Sequence, residues 1–138
     1  MFAVLTDINW FAVIVSTLIF AVIGGVYFTA LVTKPYAVAL GNVGKQLPKP
    51  GAIVIVGPIA SALVVVITSA VLLRALSVET LGDGIAFGLI VSVGYLVAQT
   101  FTIAINPNFP RPVLYTLINA PYFIVCTVAA SIVLTLWR

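Results

Sequence analysis

The sequence predicts an all-α polytopic membrane protein, four transmembrane helices joined as two helical hairpins. Residues 8–32, 52–73, 85–105 and 113–137 form apolar runs without one charged side chain. Each is long enough to cross the roughly 30 Å of hydrocarbon that about 20 helical residues span. The composition agrees. Of 138 residues, 63% are hydrophobic and 7% charged, with a mean hydropathy of +1.31, whereas about a quarter of a soluble domain is charged. The longest connecting segment, 33–51, is too short to bury a core, so residues 1–138 read as a single four-helix domain.

The first run has no basic residue ahead of it, exceeds a signal-peptide core in length and lacks a small-x-small cleavage site, so it reads as a retained span. The second run carries Gly57-Pro58 and the fourth Asn119-Ala120-Pro121. A proline removes one backbone hydrogen bond and bends the helix, which makes both sites expected kinks. Asn119 sits within a turn of Pro121, and an amide in lipid needs a partner across a helix interface or at the freed carbonyl. Small residues recur at four-residue spacing: Ala21, Gly25 and Thr29 in the first run, Gly57 and Ser61 in the second, Gly84, Gly88 and Ser92 in the third. Such stripes let helices approach closely. Trp10 and Trp137 at one boundary, and Tyr27, Phe28 and Tyr36 at the other, fit aromatic belts. Cys126, the lone cysteine, excludes an internal disulfide and reads as a small buried side chain.

Four spans put both termini and the segment 74–84 on one face, with 33–51 and 106–112 on the other. Lys34, Lys45, Lys49 and Arg111 fall on the second face, against Arg74 and Arg138 on the first. The positive-inside rule then makes the second face cytoplasmic and places both termini outside. Asp7, Glu79 and Asp83 all lie on the outer face, so the inner one is purely basic and suited to anionic lipid headgroups. Asp7 and Asp83 open the first and third spans, where a carboxylate can cap free amides, and Arg74 and Arg138 end the second and fourth, favouring the negative end of the helix dipole. Ion pairs between these acids and arginines are geometrically plausible.

Offsetting the first span by 76 residues superposes Asp7, Phe11, Ile14, Val15 and Ser16 on Asp83, Phe87, Ile90, Val91 and Ser92. This suggests a parallel repeat of two hairpins about an axis along the membrane normal. No histidine occurs, and no ionisable carboxylate, lysine or arginine lies within a run. That pattern argues against an enzyme, a metal site, a cofactor and proton-coupled antiport, all of which draw on such groups. The polar groups left at depth are neutral, and Gln99 is the costliest to bury unpaired. Gln99, Asn119, Ser92 and Tyr95 are therefore the candidate intramembrane site, with Gln99 and Asn119 brought close if the third and fourth spans pair.

Several segments carry a family resemblance: Asn9-Trp10-Phe11-Ala12-Val13; Gly24-Gly25-Val26-Tyr27-Phe28 leading to Lys34-Pro35-Tyr36; Gly82-Asp83-Gly84 with Gly88; and Ile118-Asn119-Ala120-Pro121-Tyr122 ending in Leu136-Trp137. In this order the chain resembles the bacterial membrane family known as domain of unknown function 1761. The resemblance implies a small four-span membrane protein and no activity. On the residues themselves, the first expectation is a small homo-oligomeric channel or transporter for a neutral or anionic solute. The alternative is an accessory or scaffolding subunit that binds lipid or a larger membrane complex. No nucleic-acid partner is expected.

Overall fold

The computed structural model describes residues 2–45 and 51–137. Lys49 and Arg138, assigned above to the inner and outer faces, lie outside the described residues. All regular structure among the described residues is helical. A short 3-10 turn, Phe2–Asp7, leads into helix α1, Trp10–Val26, which continues as a π-helical turn, Tyr27–Leu31. Helix α2, Thr33–Ala39, follows. Helix α3, Ala52–Ala75, is the second span. The third span is composite: α4, Leu81–Val91, a π-helical turn, Ser92–Val97, and α5, Ala98–Ala104. Helix α6, Pro112–Leu136, is the fourth. Four helices, Trp10–Leu31, Ala52–Ala75, Leu81–Ala104 and Pro112–Leu136, are long and apolar enough to cross a membrane.

Capping chemistry sets the helix starts. Asn9, not Asp7, caps α1: its Oδ1 accepts from the amides of Phe11 at 3.0 Å and Ala12 at 3.2 Å. Asp7 stays exposed in the preceding turn. Thr80 caps α4 by accepting from the Asp83 amide at 3.1 Å, and its hydroxyl donates to Asp83 Oδ2 at 2.7 Å. This threonine-to-acid box starts the third span at Leu81, ahead of the purely apolar run. Among the described residues no ion pair joins Arg74 to Asp7 or Asp83. Both α3 and α6 run on through their prolines.

The fourth span is the hub. It packs against the third, the first and, less extensively, the second, while the second packs mainly on the first. The physical reason lies in its buried residues, Thr116, Asn119, Cys126, Thr127, Ala130, Ser131 and Thr135 among them. A helix so rich in small and polar side chains does better among other helices than in lipid, where close backbone approach and interhelical bonding are unavailable. Cys126 is fully buried and free.

The third and fourth spans meet at backbone distance. A Cβ built on Gly88 would lie 2.7 Å from Val128 Cα and 3.1 Å from Ser131 Oγ, and one on Gly84 would lie 2.8 Å from Thr135 Oγ1. The stripe Gly84, Gly88, Ser92 is thus the seam predicted for the third span. The other two stripes are not seams within the chain: Gly25 has no atom within 4 Å of a built Cβ, and Ser61 is exposed. Within the closed seams the hydroxyls of Ser16, Thr127 and Ser131 are buried without a hydrogen-bond partner. Their contribution is size rather than bonding. Ser131→Ala should therefore leave stability unchanged or raise it by up to about 1 kcal/mol, because it removes a desolvated hydroxyl without adding volume; unfolding in detergent titrated with denaturant measures this.

The packing departs from the twofold repeat suggested by the 76-residue offset. The first span packs along the fourth, but the symmetry-equivalent contact of the third with the second is not among the substantial ones. Matched residues also differ: Phe11 is 59% exposed and Phe87 only 9%. With one helix occupying the centre, the two halves have unequal surroundings.

Candidate functional site

The four residues expected to form one intramembrane site are separated by the fold. Ser92 is completely buried, with its hydroxyl donating to the Leu89 carbonyl at 3.1 Å in its own helix. Asn119 is buried in the fourth span, and its Nδ2 donates to the Tyr115 carbonyl at 2.7 Å, not to the Leu117 carbonyl that Pro121 frees. Tyr95 and Gln99 point out of the bundle. Tyr95 is 69% exposed, Gln99 is exposed, and neither side chain has a partner among the described residues. With Gly94, Leu96, Ala98 and Thr102 they line a shallow groove on the outside of the third span.

The π-helical turn explains why Gln99 faces outward. In an uninterrupted α-helix residue 99 lies about two turns beyond Ser92, on the face of Gly84 and Gly88 that meets the fourth span. The wider turn at Ser92–Val97 inserts an extra residue into that register. The inward positions become Thr100, half-buried, and Ala104, fully buried, each one place beyond the α-helical register. Gln99 is rotated away from Asn119 as a result.

A second constellation joins the first and fourth spans. Tyr27 Oη donates to the Ile118 carbonyl at 2.8 Å, and Tyr122 Oη donates to the Phe20 carbonyl at 3.3 Å, so each helix supplies a phenol to the other's backbone. The Tyr122 ring lies against Gly24, where a Cβ would come within 3.0 Å of Cε2. It contacts Phe20 edge-on, with centroids 6.2 Å apart, and Phe28 at 5.2 Å. Aromatic contacts then continue from Phe28 to Tyr36 at 5.1 Å, to Tyr115 at 5.7 Å and to Phe109 at 4.7 Å. Tyr27, Phe28 and Tyr36, expected as a lipid-facing belt, are instead turned onto the fourth span. At the opposite end Trp10 and Trp137 are each about half exposed, as interfacial anchors are, and Trp137 also packs edge-on against Phe11 at 5.0 Å.

The profile of a protein family of unknown function (DUF1761) matches residues 11–135. The chain belongs to the DUF1761 family. No match was found among curated proteins or among solved structures. The segments that carry the family resemblance converge in space: Gly24, Tyr27 and Phe28 from one meet Tyr122 from another, with Tyr36 beyond. Sequence reasoning gave no site role to Tyr115, Tyr122, Phe20 or Phe109. The available signal was a glycine one turn from a tyrosine in the first span and a tyrosine beside a helix-bending proline in the fourth, a small-large pair suited to mutual packing.

In this DUF1761 chain the basic residues Lys34, Lys45 and Arg111 are exposed and belong to the segments joined by the aromatic chain, with Gly41 packed on Pro110 nearby. Burial, followed by the nearby Tyr115 phenol, pushes the Tyr36 phenol well above its ordinary range. A folded-state pKa above the unfolded one means that the folded chain holds the extra proton. The associated stability is complete below the ordinary phenol range near 10 and is lost as the pH rises above it. The docking of α2 on α6 should accordingly loosen in strong alkali, and Tyr36→Phe should flatten that limb, measured by tyrosine fluorescence and amide exchange in detergent.

Between the terminal ends of the spans, Ile8, Asn9, Ala12, Ala70, Arg74, Leu134 and Trp137 surround a hollow of about 10 Å³, room for one water. Arg74 is half-buried there.

Proposed function

We propose that this chain is a non-catalytic membrane subunit that acts by assembly within the bilayer. One observation carries the reading: seams inside the bundle are packed to contact, while Tyr95 and Gln99 are turned out at membrane depth without a partner. An unpaired amide facing hydrocarbon is costly, and another protein surface removes that cost. The assembly sits in the bacterial inner membrane with both termini outside, and Lys34, Lys45 and Arg111 rest on anionic headgroups. Mass measurement in native-lipid nanodiscs tests the reading. Particles holding more than one 14.5 kDa chain, or this chain with a larger partner, are expected, and a lone chain at native density overturns it.

A second reading is favoured by the neutral lining of the groove, Gly94, Tyr95, Gln99 and Thr102. In it, copies enclose a path for a small neutral or anionic solute. Liposomes bearing the protein would pass such a solute, and Gln99→Leu would change the flux; absence of flux across a broad panel rejects this reading and leaves the first standing.

A further inference from the structure

The outward face of the third span has four features that call for one explanation. Gln99 is exposed without a partner, and so is the Tyr95 hydroxyl. Gly94 has no atom within 4 Å of a built Cβ, and Ala98, one turn on, is exposed. The π-helical turn Ser92–Val97 is the structural cause of this exposure, since an unbroken helix would bury Gln99 against the fourth span. At about 1.5 Å per residue, Gln99 lies about 8 Å and Tyr95 about 13 Å from the end of the span at Ala104, both within hydrocarbon.

We infer that this face is where a second copy of the same chain docks, third span against third span, with the two Gln99 amides bonded to each other. This rests on the assembly reading above and names its partner. The electrostatics select the occupant. The face carries no formal charge, so a charge on a partner helix would find no opposite charge there. A primary amide is its own complement, because it donates through Nε2 and accepts through Oε1. Two copies inserted in the same orientation present Gln99 at the same depth by symmetry, and a twofold axis along the membrane normal makes both bonds reciprocal. Gly94 and Ala98, at four-residue spacing, allow the backbones to approach closely enough for side chains as short as glutamine to meet. Each chain's groove is incomplete until the other supplies its amide.

Cysteine cross-linking of the full chain in native membranes tests this. In a Cys126→Ala background, Ala98→Cys should form a disulfide-linked dimer on mild oxidation, since a close crossing brings the two Cα atoms within about 7 Å. Val64→Cys, 64% exposed on the second span, should not. Adding Gln99→Leu should lower the Ala98→Cys dimer several-fold, and Gln99→Asn should restore much of it, while the single chain keeps its thermal stability because Gln99 is exposed and its amide has no partner within the bundle. A monomer at Ala98→Cys, equal cross-linking at Val64→Cys, or no response to Gln99→Leu each overturns the proposal. Multimers in nanodiscs together with a monomeric Ala98→Cys would retain assembly and reject this face; lone chains in both would reject both.

Discussion

Replacing Gly88 by valine should separate the third span from the fourth and destabilise the chain by roughly 3 kcal/mol or more, at the upper end of what overpacking costs. The obstruction is backbone. The first added carbon already lies 2.7 Å from Val128 Cα, and no rotamer change moves a Cα. Relief requires the helices to part, which forfeits the contacts of Gly84 with Thr135 and of Phe87 with the core on the same seam. Because lipid is as apolar as the interface, van der Waals contact and geometry hold these helices together, and a shift of about 1 Å forfeits much of that attraction. Gly25→Val is the matched control, with the same chemistry at an exposed site with no atom within 4 Å. Denaturant titration in mixed micelles should show the first variant unfolding well before the wild type and the second unchanged. Equal behaviour of the two would mean that the Gly88 seam does not hold the bundle.

Tyr122→Ala should cost about 3 kcal/mol, in the range for truncating a large aromatic side chain in a packed site. The ring fills the space between Gly24, Phe20, Tyr27 and Phe28, and its hydroxyl supplies one of the two phenol-to-backbone bonds joining the first and fourth spans. Tyr122→Phe separates the contributions. At 3.3 Å the bond to the Phe20 carbonyl is long, so the phenylalanine variant should lose no more than about 1 kcal/mol. Tyr27→Phe, which removes a 2.8 Å bond, should lose more than Tyr122→Phe. If alanine and phenylalanine at position 122 prove equivalent, ring packing is not what holds this seam.

These contrasts also mark the boundary between sequence and structure. The charge-free runs settle the solvent and the number of spans, because a backbone in hydrocarbon must bond to itself and the length of bilayer to be crossed is fixed. The Gly84, Gly88, Ser92 stripe was legible for the same local reason: small residues one turn apart share a face. Rotation about each helix axis was not legible, because in a chain apolar on nearly all sides the hydropathy pattern does not say which face is inward. The identical rule marked Gly25, with no atom within 4 Å of a built Cβ, and Ser61, which is exposed, without saying whether they pack within the chain, and it gave no role to Tyr122, whose partners come from a span about 100 residues away. Gln99 shows the limit most sharply. Helical periodicity puts it on the buried face with Ser92, and one π-helical turn, lying against the fourth span, turns it outward. The sequence by itself determined which residues are in the membrane; only the tertiary structure decided which of them face each other, because that depends on contacts between distant segments that no local pattern encodes.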